Sequence, residues 1–135
     1  MKQKMETKNI QQKKFRFRNF KVYQESRRAS IQIKKLIRKC FPKEEMFGLT
    51  SQTSRALDSI ILNIAEGAER NTDKDFALFL TRSLASLNEV VACLDIAVDN
   101  GYITGTDLNE NVNVLENLAN QISAFRKTLQ DKPTK

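Results

Sequence analysis

Leu49-Thr-Ser-Gln52-Thr-Ser-Arg55-Ala-Leu-Asp-Ser59-Ile-Ile-Leu-Asn63-Ile-Ala-Glu66-Gly67 has the spacing of one amphipathic helix. Leu49, Thr53, Leu57, Ile60, Ile61 and Ile64 share a face at the helical period. Gln52, Arg55, Ser59, Asn63 and Glu66 recur three and four apart and form a narrow polar column beside it. A solvated face usually carries Lys and Glu in loose order. Amide, guanidinium, hydroxyl and carboxylate in one column read instead as a hydrogen-bonding surface. Such a surface either joins helices and subunits in register or meets a ligand directly. Glu66 also stands four residues before Arg70, the spacing of a helical ion pair.

Outward from this stretch, glycine and proline punctuate the chain sparingly. Pro42 and Gly48 fall in one junction, Gly67 in a second, Gly101 and Gly105 in a third, and Pro133 near the end. Four long segments of helical period lie between them, without a convincing strand. The first is predicted from Asn19 to Cys40, with Val22, Ser26, Ala29, Ile33, Leu36, Ile37 and Cys40 inward. Phe41-Pro42 ends it, because proline cannot continue the hydrogen-bond ladder. The second is predicted to begin after an N-cap at Thr50 and to stop at Gly67 as a left-handed cap.

The third starts after Thr72, with Asp73 and Asp75 at the positive end of the helix dipole, and closes at Asn100-Gly101. Phe76, Phe79, Leu80, Ser83, Leu84, Leu87, Val90, Val91, Leu94, Ala97 and Val98 make its broad apolar face. Leu78, Arg82, Ala85, Glu89, Ala92 and Ile96 make a weaker stripe on its far side, and Leu62 on the second helix leans the same way. A helix apolar on two sides suits contact with a further subunit. The fourth is predicted to start near Thr106, with Leu108, Val112, Leu115, Leu118, Ala119, Ile122, Phe125 and Leu129 inward. Long helices with short loops predict an all-α fold, an antiparallel up-down-up-down four-helix bundle over residues 19–130. A basic arm, 1–18, precedes it and a short tail, 131–135, follows.

The 135 residues are one domain by length, enough to bury about 65–70% of the unfolded surface. No unbroken apolar run approaches the ~20 residues of a membrane span. The basic start lacks the apolar segment of a secretory signal. With two cysteines, Cys40 and Cys93, read as free thiols, these features predict a cytoplasmic protein without a membrane partner.

Histidine is absent, which removes Cys/His zinc sites and Ser-His-Asp or Cys-His catalysis. Ser59 has no base to activate it, no glycine loop cradles phosphate, and the carboxylates are scattered. The expectation is a non-enzyme without cofactor or metal. Charge is the stronger signal. The first forty residues carry fourteen Lys and Arg against Glu6 and Glu25, a net +12; residues 41–135 carry nine against fourteen Asp and Glu, a net −5. So polarised a chain points to a polyanion, an acidic protein surface or a neighbouring copy.

Lys13-Lys14-Phe15-Arg16-Phe17-Arg18-Asn19-Phe20-Lys21 interleaves cations with rings. Cations neutralise phosphates and rings stack on unpaired bases, although Phe17 and Phe20 are expected to fold back onto the bundle. Lys13, Lys14, Arg16, Arg18 and Lys21, with Arg27, Arg28, Lys34, Lys35, Arg38 and Lys39 of the first helix, are the candidate nucleic-acid contacts. The competing reading is a merely solvated basic face.

Leu49-Thr50-x-Gln52-x-x-Arg55-Ala56-x-x-Ser59-Ile60-x-x-Asn63-Ile64-Ala65-Glu66-Gly67, then Arg70, resembles the hallmark of small four-helix-bundle proteins encoded in intervening sequences of bacterial 23S rRNA genes. Phe17-x-x-Phe20-x-Val22-Tyr23-Gln24, Phe41-Pro42-x-x-Glu45-x-Phe47-Gly48, Phe76-x-x-Phe79-Leu80, Ser86-x-x-Glu89 and Gly101-Tyr102-Ile103 agree with it over about residues 17–127. Ser83 and Ala85 depart, standing where the family pattern has Ala and Gly.

The resemblance implies a four-helix bundle assembled as a homopentamer around a central channel. Gln52, Arg55, Ser59, Asn63, Glu66, Gly67, Arg70 and Glu89 would then be motif and assembly residues. The family is similar to accessory proteins of diversity-generating retroelements, basic pentamers that bind nucleic acid and a reverse transcriptase. The expected partners are therefore RNA or DNA, further copies of the chain, and a nucleic-acid enzyme. An adaptor that binds only protein partners is the alternative.

Overall fold

The computed structural model describes residues 14–131, so Lys13, most of the predicted arm and most of the tail lie outside the described residues. A short 3-10 turn, Arg16–Asn19, leads into α1 (Lys21–Cys40); a second, Lys43–Glu45, precedes α2 (Leu49–Ala68), and α3 (Asp73–Asp99) and α4 (Gly105–Gln130) complete the chain. There is no β-strand among the described residues. The fold is all-α with four helices, and α2 packs on α3, α3 on α4, and α1 on both α2 and α4, as a bundle requires.

The core follows the apolar stripes read from the sequence, except that Ile61, Phe79 and Val112, expected inward, are only partly buried and lie outside it. Ile33, Leu57, Ile60, Ile64, Leu80, Val90, Leu94, Leu115 and Ile122 are fully buried, each burial of this kind contributing about 1.5–3 kcal/mol. At one end Phe20, Phe76 and Phe125 form an aromatic cluster with ring centroids 5.3–6.1 Å apart. Phe17 packs edge-on to Tyr23 at 5.0 Å. Both rings thus fold back onto the bundle, as expected.

Thr72 caps α3 by accepting from the Asp75 N–H at 3.1 Å. Gly101, at φ +77°, closes it in the left-handed region, and the Tyr102 N–H reaches back to the Ala97 carbonyl at 2.8 Å. Helix α4 starts one residue earlier than expected because Thr104 caps it. Thr104 and Asp107 exchange side-chain and backbone bonds in a capping box. Helix α1 starts two residues later than predicted, because the 3-10 turn takes up Arg16–Asn19.

Two expectations for α2 are corrected. Thr50 lies inside the helix, and the cap comes from the preceding turn: Glu45 Oε1 accepts the Leu49 N–H at 2.9 Å. Gly67 does not end the helix in a left-handed cap but lies buried within its last turn. Its role is close approach. A Cβ there would sit 2.6 Å from Phe79 Cβ and 2.9 Å from Phe76 Cδ1.

Helix α3 is long and apolar enough to cross a membrane by length and composition, with a mean hydropathy of 1.4 over an 18-residue window. The contiguous-run reading overlooked this, because its charges are widely spaced. In the fold, Phe76, Leu80, Leu87, Val90 and Leu94 of this helix are packed in the core against α2 and α4.

Glu45 also accepts from the Tyr102 hydroxyl at 2.7 Å, tying the α1–α2 turn to the α3–α4 loop. The Leu49 N–H, and then the Tyr102 hydroxyl, hold the Glu45 carboxyl below the ordinary glutamate range. The same bond to Glu45, with burial and the negative charges of Glu45 and Glu44, pushes the Tyr102 hydroxyl up.

Gly67→Ala should lower stability by about 1–3 kcal/mol in urea unfolding, overpacking outweighing the better helix propensity of alanine. An unchanged or raised midpoint would mean that α2 and α3 are not in tight contact there. The Glu45 contribution is fully present above the unfolded glutamate range and fades as pH falls through that range to the lower folded value. The Tyr102 contribution is present below the unfolded tyrosine range and fades as pH rises towards the higher folded value. Thermal melts of Glu45→Gln across pH should therefore show a lower midpoint at neutral pH and a flatter acid limb. A parallel acid limb would reject the linkage.

Candidate nucleic-acid interface

Helix α1 is divided lengthwise. Its inward stripe of Val22, Ser26, Ala29, Ile33 and Ile37 is buried, and Leu36 and Cys40 are partly so. Lys21, Arg27, Arg28, Lys35, Arg38 and Lys39 are exposed, and with half-buried Lys34 they occupy the opposite side. Arg28 pairs with Glu25, and Lys34 Nζ lies 2.5 Å from Asp58 on α2. These are exposed or half-exposed pairs, each worth about 0–1 kcal/mol. They are the ion pairs among the described residues, so Lys14, Arg18, Lys21, Arg27, Lys35, Arg38 and Lys39 face water without a carboxylate partner.

Arg16 differs from its neighbours. Its Nη2 donates to the Ala68 carbonyl at 2.9 Å, and its guanidinium lies 5.4 Å from the centre of the Phe20 ring. This cation caps the C-terminal end of α2 and pins the entering chain. It is thereby removed from the free basic face on which the sequence had placed it.

The polar column divides in another way. Ser59 Oγ and Ser86 Oγ share a hydrogen bond of 2.7 Å between α2 and α3, and Asn63 Nδ2 donates to Ser59 Oγ at 3.1 Å and to its carbonyl at 2.9 Å. Gln52 Nε2 reaches Glu89 Oε2 at 3.4 Å. Arg55 and Glu66 point outward, and no ion pair joins Glu66 to Arg70. The Arg70 guanidinium instead lies over Phe79 at 5.1 Å, sharing that ring with Arg82 at 4.6 Å. The middle of the column is a seam between two helices of one chain.

Both thiols are free: Cys40 is partly exposed and Cys93 buried. Among the described residues no group of three or more Cys, Asp or Glu side chains is placed to hold a metal ion.

A family model described as 23S rRNA-intervening sequence protein matches residues 18–124. The chain belongs to that family. The match covers α1, α2 and α3 in full and α4 as far as residue 124. Comparison with curated proteins gives no match.

In this 23S rRNA-intervening sequence protein, several hydrogen-bonding residues escaped the sequence reading. Asn111 is buried in α4, donating to the Asp107 carbonyl at 2.7 Å and accepting from Gln32 Nε2 at 3.1 Å. That bridge aligns α1 with α4. Its only sequence signal is a polar residue at an inward position, which apolar spacing cannot reveal. Ser83, one of the departures from the family pattern, is fully buried and donates to the Ile60 carbonyl at 2.9 Å. The extra hydroxyl is therefore satisfied and strengthens the α2–α3 seam.

Arg16→Ala should destabilise the chain by about 1–2 kcal/mol, through loss of a charge-assisted hydrogen bond and a ring contact, whereas Lys35→Ala should leave the unfolding midpoint within error. Equal midpoints for the two variants would show that Arg16 is not a structural tie.

Proposed function

We propose that this chain is a non-enzymatic, cytoplasmic, homo-oligomeric bundle that binds RNA or DNA through the basic face of α1 and the arm before it. In this reading its helices run antiparallel, up-down-up-down. It serves as a scaffold or accessory factor for a nucleic-acid enzyme, needs no cofactor and has no membrane partner. One observation carries the binding reading: Lys21, Arg27, Lys35, Arg38 and Lys39 share one exposed side of α1 without carboxylate partners, on a chain whose residues 41–135 are net acidic. Such a face neutralises phosphates and releases their counterions.

Assembly is supported by a different face. Leu62, Leu78 and Ile96 are each about half exposed on the outer sides of α2 and α3, beside Arg55, Glu66, Arg82 and Glu89. Apolar side chains among charges of both signs suit contact between copies. A homopentamer, as the family resemblance implies, would close through heterologous contacts of this kind.

The second reading, an adaptor for protein partners, is favoured by one feature. Phe47 is 93% exposed and Met46 52% exposed at the α1–α2 turn, an apolar tip that phosphate backbones do not recognise. Affinity isolation from the native cell, with and without nuclease, separates the two readings. Nuclease-sensitive capture favours nucleic acid, and nuclease-resistant protein partners favour the adaptor.

Anisotropy titration of an oligonucleotide across a salt series should give an affinity that falls linearly in log–log form, with weaker binding after removal of residues 1–18. No binding even at low salt would overturn the proposal. In light scattering, Arg55→Ala or Glu66→Ala should lower oligomer stability more than Lys35→Ala does, and a stable wild-type monomer would defeat the assembly reading.

A further inference from the structure

The cations at the start of α1 surround a concave site. The turn Arg16–Asn19 folds against the bundle and is held at three points. Arg16 is bonded to the Ala68 carbonyl, Phe17 packs on Tyr23, and Gln24 Nε2 donates to the Arg18 carbonyl at 3.1 Å. With the turn pinned, Arg18, Asn19, Gln24, Arg27, Arg28 and Ile31 line an open cleft of about 410 Å³.

We propose that this cleft takes one unpaired nucleotide of a single strand, its phosphate on the Arg18 and Arg28 guanidiniums and its base against Arg27 and Ile31. The inference rests on the nucleic-acid reading above and narrows it from a charged face to a nucleotide site. The volume lies in the lower part of the range for small-molecule pockets, about 300–1,000 Å³. A paired base, stacked inside a duplex, cannot turn its face into such a recess, whereas an unpaired one can.

The lining chemistry also fits. Guanidiniums present forked donors that match phosphate oxygens in pairs. The Arg27 guanidinium lies 5.7 Å from the Tyr23 ring centre, a contact that restrains the side chain before a base arrives. Arginine planes and apolar side chains are stacking surfaces for splayed bases, and Ile31 stands 65% exposed at the cleft. Gln24 spends its amide N–H on the Arg18 carbonyl, which leaves its oxygen free to accept from a base amino group. Glu25 competes for Arg28, but the pair is exposed and worth about 0–1 kcal/mol, so an arriving phosphate displaces it at little cost.

The test uses the full chain and fluorescence anisotropy with three probes: a single-stranded oligonucleotide, its duplex, and an abasic strand of equal length. Wild type should bind the single strand more tightly than the other two. Arg18→Ala/Arg27→Ala should lose roughly tenfold in single-strand affinity, the scale of one stacked base, and more than Lys35→Ala/Arg38→Ala loses. Arg27→Lys should keep the salt dependence but erase the preference over the abasic strand. Circular dichroism should show every variant folded, since these side chains lie outside the core. Equal wild-type affinity for all three probes, or equal losses in the two double variants, overturns the nucleotide site while leaving general nucleic-acid binding intact. Failure of wild type to bind any probe overturns both.

Discussion

The approach of α2 to α3 is the constraint on which the rest of the molecule depends. Gly67 lets the last turn of α2 come so near to Phe76 and Phe79 that a single added carbon would collide with both. The Ser83–Ile60 and Ser59–Ser86 hydrogen bonds continue the seam towards the middle of the pair. Because both helices spend their small and hydroxylated side chains on each other, the outer edges of the pair are left with Leu62, Leu78, Ile96, Arg55 and Glu66. α1 fits into the remaining side of the bundle with its apolar stripe inward. Its cations are consequently turned to water, on a different helix from the polar column.

That separation explains why the chain carries two unlike surfaces. The polar column first reads as a possible ligand site, since several reactive side chains align on it. Its central members are consumed in joining α2 to α3, and its outer members, Arg55 and Glu66, stay exposed. The basic side of α1 makes few internal bonds beyond the Glu25 and Asp58 pairs, so its charge is available to a partner of opposite sign. Arg16 marks the boundary between the two roles. One cation of the series is tied to Ala68 and Phe20, and this tie positions Arg18 beside Arg27 and Arg28.

Helix positions and core faces were legible in the sequence because they depend on spacing alone. Thr72 and Gly101 acted as read, since a cap and a left-handed stop are local events. Gly67 was misread for a physical reason: a glycine near a helix end gives the same signal whether it turns the chain or admits a neighbouring ring. Only the position of Phe79 across the seam distinguishes the two. Glu45 was missed as the α2 cap because its carboxylate reaches forward over four residues and is shared with Tyr102, far along the chain. The Arg16 tie and the Asn111–Gln32 bridge likewise join residues 52 and 79 positions apart, which no periodicity can reveal. For the candidate interface, the cations on the outer side of α1 were legible from their spacing, but their division into bound, paired and free was not.

We propose a nucleic-acid partner on α1 and not on the polar column. Hydroxyl-radical footprinting of the full chain, with and without a bound single-stranded oligonucleotide, tests it most directly. Ile31 and Tyr23 should become protected while Leu62, Leu78 and Ile96 keep the reactivity they have in the free protein. Protection confined to Leu62, Leu78 and Ile96, with Ile31 and Tyr23 unchanged, would contradict it.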